Sequence, residues 1–145
     1  MTAIIDTLPS TACPQNFNLT AYVLSFADEL WDKNALSILS KEDVKSYTYS
    51  ALKSAILGTA AGLVETGVAP GQKIMLRFGN TVDFPIVYLA AIAVGIYPIP
   101  LSAQLTCNEL EKLCKVVEPD AVAMDPKLSF PKENDVRQIP LDELQ

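Results

Sequence analysis

Any chemistry performed by this 145-residue chain has to come from serines, cysteines, carboxylates and lysines, because it contains no histidine. That removes every Ser–His and Cys–His scheme for activating a nucleophile. Ser46, Ser50 and Ser54 have no base near them in sequence and are not nucleophile candidates. Asp28 with Glu29, and Asp142 with Glu143, are adjacent carboxylates. Neighbours on a helix do not face one another, so these pairs read as solvated surface rather than as acid/base couples. Cys13, Cys107 and Cys114 are odd in number and make no disulfide framework. Cys107 and Cys114 are expected two helical turns apart, about 10 Å, which is too far for a disulfide. Without a CxxC pair or a histidine there is no zinc pattern, and all three are expected to be small, buried or half-buried apolar residues. The six glycines are scattered, so no Gly-rich run cradles a triphosphate. No catalytic, cofactor-binding or metal-binding role is assigned to any residue of the chain.

Asn80 has two readings. It falls at the expected C-terminal end of a strand, the end that faces the ligand crevice in open α/β sheets. It also immediately precedes a helix, where Asn is a favoured cap, and the cap is the preferred reading. Tyr22, Phe26 and Trp31, at helical spacing, are expected in the core rather than on a ligand platform. Half of the residues are apolar and 19% are charged, enough for a packed core. The net charge is −6 and the pI is near 4.5. The lysines (33, 41, 45, 53, 73, 112, 115, 127 and 132) form no polybasic run. Nucleic acids and anionic membrane surfaces are therefore poor partners. Residues 1–17 lack Lys and Arg and carry Asp6, Pro9 and Pro14, unlike a signal peptide. The uncharged stretch Phe84–Leu101 is broken by Pro85, Gly95, Pro98 and Pro100, which argues against a membrane span. The cytoplasm is the default location.

The elements that would position these residues alternate. After an irregular lead-in over 1–17, Asn18 can cap a helix reaching Trp31, with Leu19, Tyr22, Val23, Phe26, Ala27 and Leu30 as its apolar stripe. Residues 35–39 and 46–49 read as two short strands of a hairpin. A helix follows over 50–66, with Leu52, Ala55, Ile56, Leu63 and Val64 inward and Gly67 just past its end. Residues 73–78 form a strand, and Thr81 or Asp83 can cap the next helix, with Pro85 in its first turn. That helix is apolar almost all round and should be buried on several sides. A strand follows over 96–101. Thr106 and Glu109 have the spacing of a capping box, opening a helix that turns Leu110, Leu113 and Val117 inward. Residues 121–124 form another strand, and 139–141 a possible further one. The fold class is α/β: a mainly parallel sheet flanked by helices, with a small β-hairpin. Residues 18–125 are expected to be one unit and 126–145 a polar tail.

Three stretches in this order resemble the AMP-forming adenylating family of acyl- and aryl-CoA synthetases, peptide-synthetase adenylation domains and luciferases. They are Tyr47-Thr48-Tyr49-Ser50-Ala51-Leu52, Gly67-Val68-Ala69-Pro70-Gly71-Gln72-Lys73-Ile74, and Leu89 through Leu101, which is similar to the family's Leu-Ala-x-x-x-Ala-Gly-x-x-x-x-Pro-Leu segment at Leu89, Ala90, Gly95, Pro100 and Leu101. The chain departs from the family pattern at Ala51, Gln72 and Ser102, where the family has Glu, Asp and Asp. None of these is a catalytic position there. The run Ser102–Thr106 is more similar to acyl-CoA synthetases than to amino-acid-activating domains.

The resemblance implies the N-terminal subdomain of the adenylate-forming ligase fold. In the complete enzyme it implies ATP, Mg²⁺ and CoA as co-reactants, a carboxylic acid as substrate, and the remainder of the ligase chain as partner. The family's phosphate loop, ribose-binding Asp and lid Lys have no counterpart among these residues. Residues 141–144 resemble the segment shortly before that loop. The chain is accordingly expected to be an N-terminal fragment, inactive alone, with Lys127 and Lys132 as loop lysines rather than CoA ligands. An uncovered apolar face, expected among the phenylalanines and valines of 78–101, would favour self-association. Two alternatives stand beside this reading: a free-standing, non-catalytic interaction module of the same fold, and part of a peptide-synthetase adenylation domain.

Overall fold

The computed structural model of the protein describes residues 12, 14–39, 44–131 and 135–144. Cys13, Lys41, Lys132 and residues 1–11 of the expected lead-in lie outside them. Strands β1 (Asn34–Leu39) and β2 (Val44–Thr48) form an antiparallel hairpin. Strands β3 (Lys73–Arg77), β4 (Tyr97–Pro100), β5 (Ala121–Met124) and β6 (Arg137–Pro140) form a second sheet in the order β4-β3-β5-β6. All three of its pairings are parallel. The helices are α1 (Leu19–Val23), α2 (Tyr49–Glu65), α3 (Asp83–Ala93) and α4 (Cys107–Val117), followed by a 3-10 turn at Leu141–Leu144. This is the α/β architecture expected from the alternation of elements, with the hairpin in its expected place.

The period-two pleat divides the core into two layers. Ile74, Leu76, Phe78, Ala121, Ala123 and Ile139 point to the face covered by α2 and α3. Met75, Val122 and Met124 point to the other face, where Leu110 and Cys114 of α4 meet Leu101 and Phe130. A strand covered on both faces must be apolar throughout rather than alternating, and β5 (Ala121, Val122, Ala123, Met124) is buried at every position. Burial in this second layer pushes the Cys114 thiol up from its ordinary pKa. Cys107, seven residues earlier, is exposed beside Ser129 rather than buried. The expected polar tail joins the fold. Strand β6 pairs with β5, and the following 3-10 turn packs on α2 with Leu144 1% exposed.

Helix starts are capped by side chains at three places: as expected, Asn18 Oδ1 accepts from the Thr20 and Ala21 N–H groups at the start of α1. Thr48 accepts from the Ala51 N–H at the start of α2, but Ala51 has no side chain to return the bond. Thr106 and Glu109 make the full capping box. The Thr106 N–H on its carboxylate holds Glu109 below the ordinary pKa of 4.5. Gly67 sits just past α2 at φ +80°, donating to the Val64 carbonyl.

The N-terminal region differs from its expected form. Helix α1 ends at Val23 and turns follow to Leu30, whereas the apolar stripe predicted one helix to Trp31. Tyr22, Phe26 and Trp31 are 67%, 62% and 62% exposed, not core. The reason is that α1 turns polar groups inward. Asn18 Nδ2 donates to the carbonyls of Ile92 and Ala93, and Thr20 Oγ1 to that of Leu89. These include carbonyls at the C-terminus of α3, which have no partner within that helix. The exposed apolar side chains therefore include Tyr22, Phe26 and Trp31 here, and Leu57 and Val64 on α2, where Val64 was expected inward. In the 78–101 stretch Phe78, Val82 and Val87 are buried, and Tyr97 is the large apolar side chain left exposed.

Two glycines of α2 separate two effects. A Cβ on Gly58 meets nothing within 4 Å, whereas one on Gly62 would lie 2.9 Å from the Leu144 carbonyl oxygen. Gly58→Ala should raise stability by about 0.5–1 kcal/mol through helix propensity. Gly62→Ala should lower it by displacing the 3-10 turn. Urea unfolding of both variants checks this, and equal shifts would refute the close packing of that turn. Because the folded pKa of Glu109 is lowered, its contribution is present above 4.5 and is lost as pH falls through the lowered value. The stability difference between wild type and Glu109→Gln should therefore shrink on acidification from roughly pH 6 to 3 in an unfolding series.

Candidate functional site

The strand order places β4 on one side of β3 and β5 on the other, with α3 and α4 on opposite faces. Successive connections from β3 and β4 thus leave in opposite directions. In open parallel sheets the crevice outside the carboxyl ends of the strands, at such a switch point, is where ligands bind. Here that edge is bordered by the β3–α3 turn (79–82), the β4–α4 loop (101–106) and the loop after β5 (125–131).

The opposite edge is closed by its own polar groups. Asp120 accepts from Gln72 Nε2 and from the Lys73 N–H, at 2.9 and 2.8 Å. Gln72 Oε1 takes the Ala69 N–H, and Lys73 Nζ donates to the Val117 carbonyl. Gln72, which departs from the family's Asp, thus does structural work at the amino ends of the strands.

Beyond the carboxyl end of β3 lies a cavity of ≈ 360 Å³ between residues 36–39 of the hairpin and residues 79–85. Asn80 and Thr81 line it, exposed and without side-chain hydrogen bonds among the described residues. Neither caps α3, and nor does Asp83. The N-cap residue is Val82, with no side-chain capping bond. Asn80 therefore faces the cavity, the reading that was not preferred from sequence. Ser37, also in the lining, is bonded to Asn34 and Ser46. Among the described residues the lining holds amide, hydroxyl and apolar groups and no titratable side chain. Such a surface can hold a ligand by hydrogen bonds and contact.

Arg77 was missed in the sequence. It ends β3 on the α4 face and is 2% exposed. Its Nε donates to the Ser129 carbonyl at 2.7 Å, Nη1 to Ser102 at 3.3 Å and Nη2 to Leu105 at 3.1 Å. An arginine set between the apolar run Ile74–Leu76 and Phe78 was the available signal.

The other residues singled out are dispersed. Asp28 pairs with Lys53 at 2.7 Å on the surface, and Glu29 is exposed. Ser46 and Ser50 bond other hydroxyls, Ser37 and Thr48, and Ser54 is exposed. Lys127 is exposed, and so are Asp142 and Glu143. Lys45 lies 5.3 Å from the Tyr47 ring centroid, and its hydrogen bond to Tyr47 raises its pKa. Among the described residues no group of three or more acidic or cysteine side chains is placed to hold a metal ion, and no helix is long and apolar enough to cross a membrane.

Comparison with known proteins accords with this geometry. The model of the family described as "AMP-binding enzyme" matches residues 25–144. Oxalate–CoA ligase of Arabidopsis thaliana is 34% identical over 94 residues, 64% of this chain and 18% of that protein. Benzoate–CoA ligase of Thauera aromatica is 28% identical over 112 residues, 73% of this chain and 20% of that protein. The chain thus spans about a fifth of the length of these relatives. Among solved structures, the N-terminal subdomain of Klebsiella oxytoca NpsA in complex with 3-hydroxybenzoyl-AMSN superposes with a TM-score of 0.79 at 16% identity. That match covers 88% of this chain and 31% of the other. Fatty acyl-adenylate ligase from L. pneumophila, in complex with acyl adenylate and pyrophosphate, gives 0.76 at 21% identity, with 90% and 24% covered.

Because Asn80 lines the cavity and caps nothing, Asn80→Ala should change unfolding free energy by no more than about 0.5 kcal/mol. A loss near 1 kcal/mol in denaturant titration would restore the cap.

Proposed function

The chain belongs to the AMP-binding enzyme family and has the fold of the N-terminal subdomain of adenylate-forming enzymes; on that footing we propose that it is the scaffold region of an AMP-forming acid–thiol ligase. The family match across residues 25–144 carries the proposal. It is supported by CoA ligases among the relatives and by a binding edge at the carboxyl ends of the strands.

In such a ligase a carboxylate oxygen attacks the α-phosphorus of ATP and expels pyrophosphate. A CoA thiol then attacks the acyl carbon and releases AMP. The described residues do not fit the nucleotide or a metal ion. There is no Gly-rich cradle for the phosphates and no acidic cluster for Mg²⁺. Those groups are assigned to the remainder of the ligase polypeptide, which is the partner of this region. The contribution of the chain is to hold the β3–α3 turn and its cavity, and the loops at 101–106 and 125–131, at one edge of a rigid sheet. The acyl substrate, and a cytoplasmic location, belong to the proposal at the level of a soluble carboxylic acid ligase.

A second reading, a peptide-synthetase adenylation domain, is favoured by the likeness to an artificially fused adenylation–PCP di-domain of NpsA, with a TM-score of 0.77. Carrier-protein loading in place of CoA thioester formation would select it. A free-standing interaction module remains the non-catalytic outcome.

The 145-residue chain is expected to give no acid-dependent ATP–pyrophosphate exchange. The ligase polypeptide that carries it should give exchange, followed by AMP release on adding CoA. Exchange by the chain alone would overturn its role as scaffold, and absence of exchange in the longer polypeptide would favour the interaction module.

A further inference from the structure

Arg77 is the one buried arginine among the described residues, and no carboxylate accompanies it. Burying an unpaired cation is costly unless its donors are taken. Here three of its five N–H donors are taken, each by a main-chain carbonyl, from two separate loops. Ser102 and Leu105 belong to the β4–α4 loop, and Ser129 to the loop after β5. Both loops border the carboxyl edge of the sheet on the α4 side, and both are irregular. Their internal bonds are few: Leu105 N–H to Ser102, Gln104 N–H to Ser102 Oγ, Leu128 N–H to Asp125 and Lys127 N–H to Asp125 Oδ1. Neither loop has a ladder of its own to fix it. Each is tied to β3 at its first residue, Leu101 N–H to Leu76 and Asp125 N–H to Arg77, and sinks one side chain, Leu101 or Phe130, into the core; beyond these anchors, the planar fork of Arg77 is what joins the two loops to each other.

We propose that Arg77 is a positioning residue whose guanidinium holds the 101–106 and 125–131 loops in one arrangement, and so sets one rim of the substrate crevice. The second clause rests on the ligase reading above; the first does not. A fork that reaches three carbonyls in different directions is not reproduced by an ammonium. The role therefore depends on shape as well as charge.

Two measurements test this. In the chain itself, amide hydrogen exchange is compared among wild type, Arg77→Lys, Arg77→Met and a core control, Val87→Ala, on the opposite face. Both Arg77 variants should exchange about tenfold faster at Gln104, Leu105 and Leu128 while α2 and α3 change little, whereas the control should loosen α3 without singling out the loops. Uniform loosening in the Arg77 variants, or full loop protection in Arg77→Lys, overturns the fork.

In the ligase polypeptide, Arg77→Lys and Arg77→Met should raise the KM for the acid by about fivefold or more, with a smaller change in kcat. Loss of folded enzyme alone would lower apparent kcat and leave KM in place. Unchanged KM overturns the rim. If the wild-type polypeptide shows no exchange of pyrophosphate at all, the ligase reading fails, and the hydrogen-exchange result still decides what Arg77 does to the loops.

Discussion

Strand β3 is paired on both edges and covered on both faces, and the rest of the molecule is arranged to make that possible. Its neighbours β4 and β5 are parallel to it, so each connection must return to the starting edge of the sheet, and a helix does so on either face. Its residues alternate between the two core layers, with Ile74 and Leu76 facing α2 and α3 and Met75 facing α4. Once β3 is central, the connections from β3 and β4 leave in opposite directions, and that switch point sets the edge that is open to ligands.

The two edges of the sheet are treated differently. At the amino edge, Gln72, Lys73 and Asp120 satisfy one another and the local main chain. At the carboxyl edge one buried cation is spent on loop carbonyls, while Asn80 and Thr81 face a cavity with their hydrogen-bonding groups unused. Asn80 and Thr81 are solvent-exposed, so water satisfies them and leaves them available to a ligand. The asymmetry is what a scaffold for a binding edge requires, and it agrees with the family to which the chain belongs.

Much of this was legible from residue patterns. The alternation of elements, the Thr106–Glu109 capping box, Gly67 beyond α2 and the four-residue apolar strand at 121–124 each reflect local rules that tertiary packing did not override. The failures share a cause. Tyr22, Phe26 and Trp31 have helical spacing, but a stripe says only that residues share a face. Which face turns inward was decided by α3, whose end carbonyls take Asn18 and Thr20. Asn80 looked like a cap because its residue type favours one, yet the turn places the helix start at Val82 and Asp83. Arg77 is marked in the sequence by its apolar neighbours, but its role shows only once the two loops are seen to converge on it. Long-range main-chain partners leave no mark in spacing.

The central claim is that this region presents a ligand at the carboxyl edge of the β4-β3-β5-β6 sheet without supplying reacting groups. The most direct measurement is a structure of the ligase polypeptide that carries this region, bound to a non-hydrolysable acyl-adenylate analogue. The account predicts the acyl-adenylate outside the ends of β3 and β5, near the 79–82, 101–106 and 125–131 segments, with no side chain of residues 18–144 bonded to its phosphate. An adenylate seated at the opposite edge, against Lys73, Tyr97 and Asp120, would contradict it.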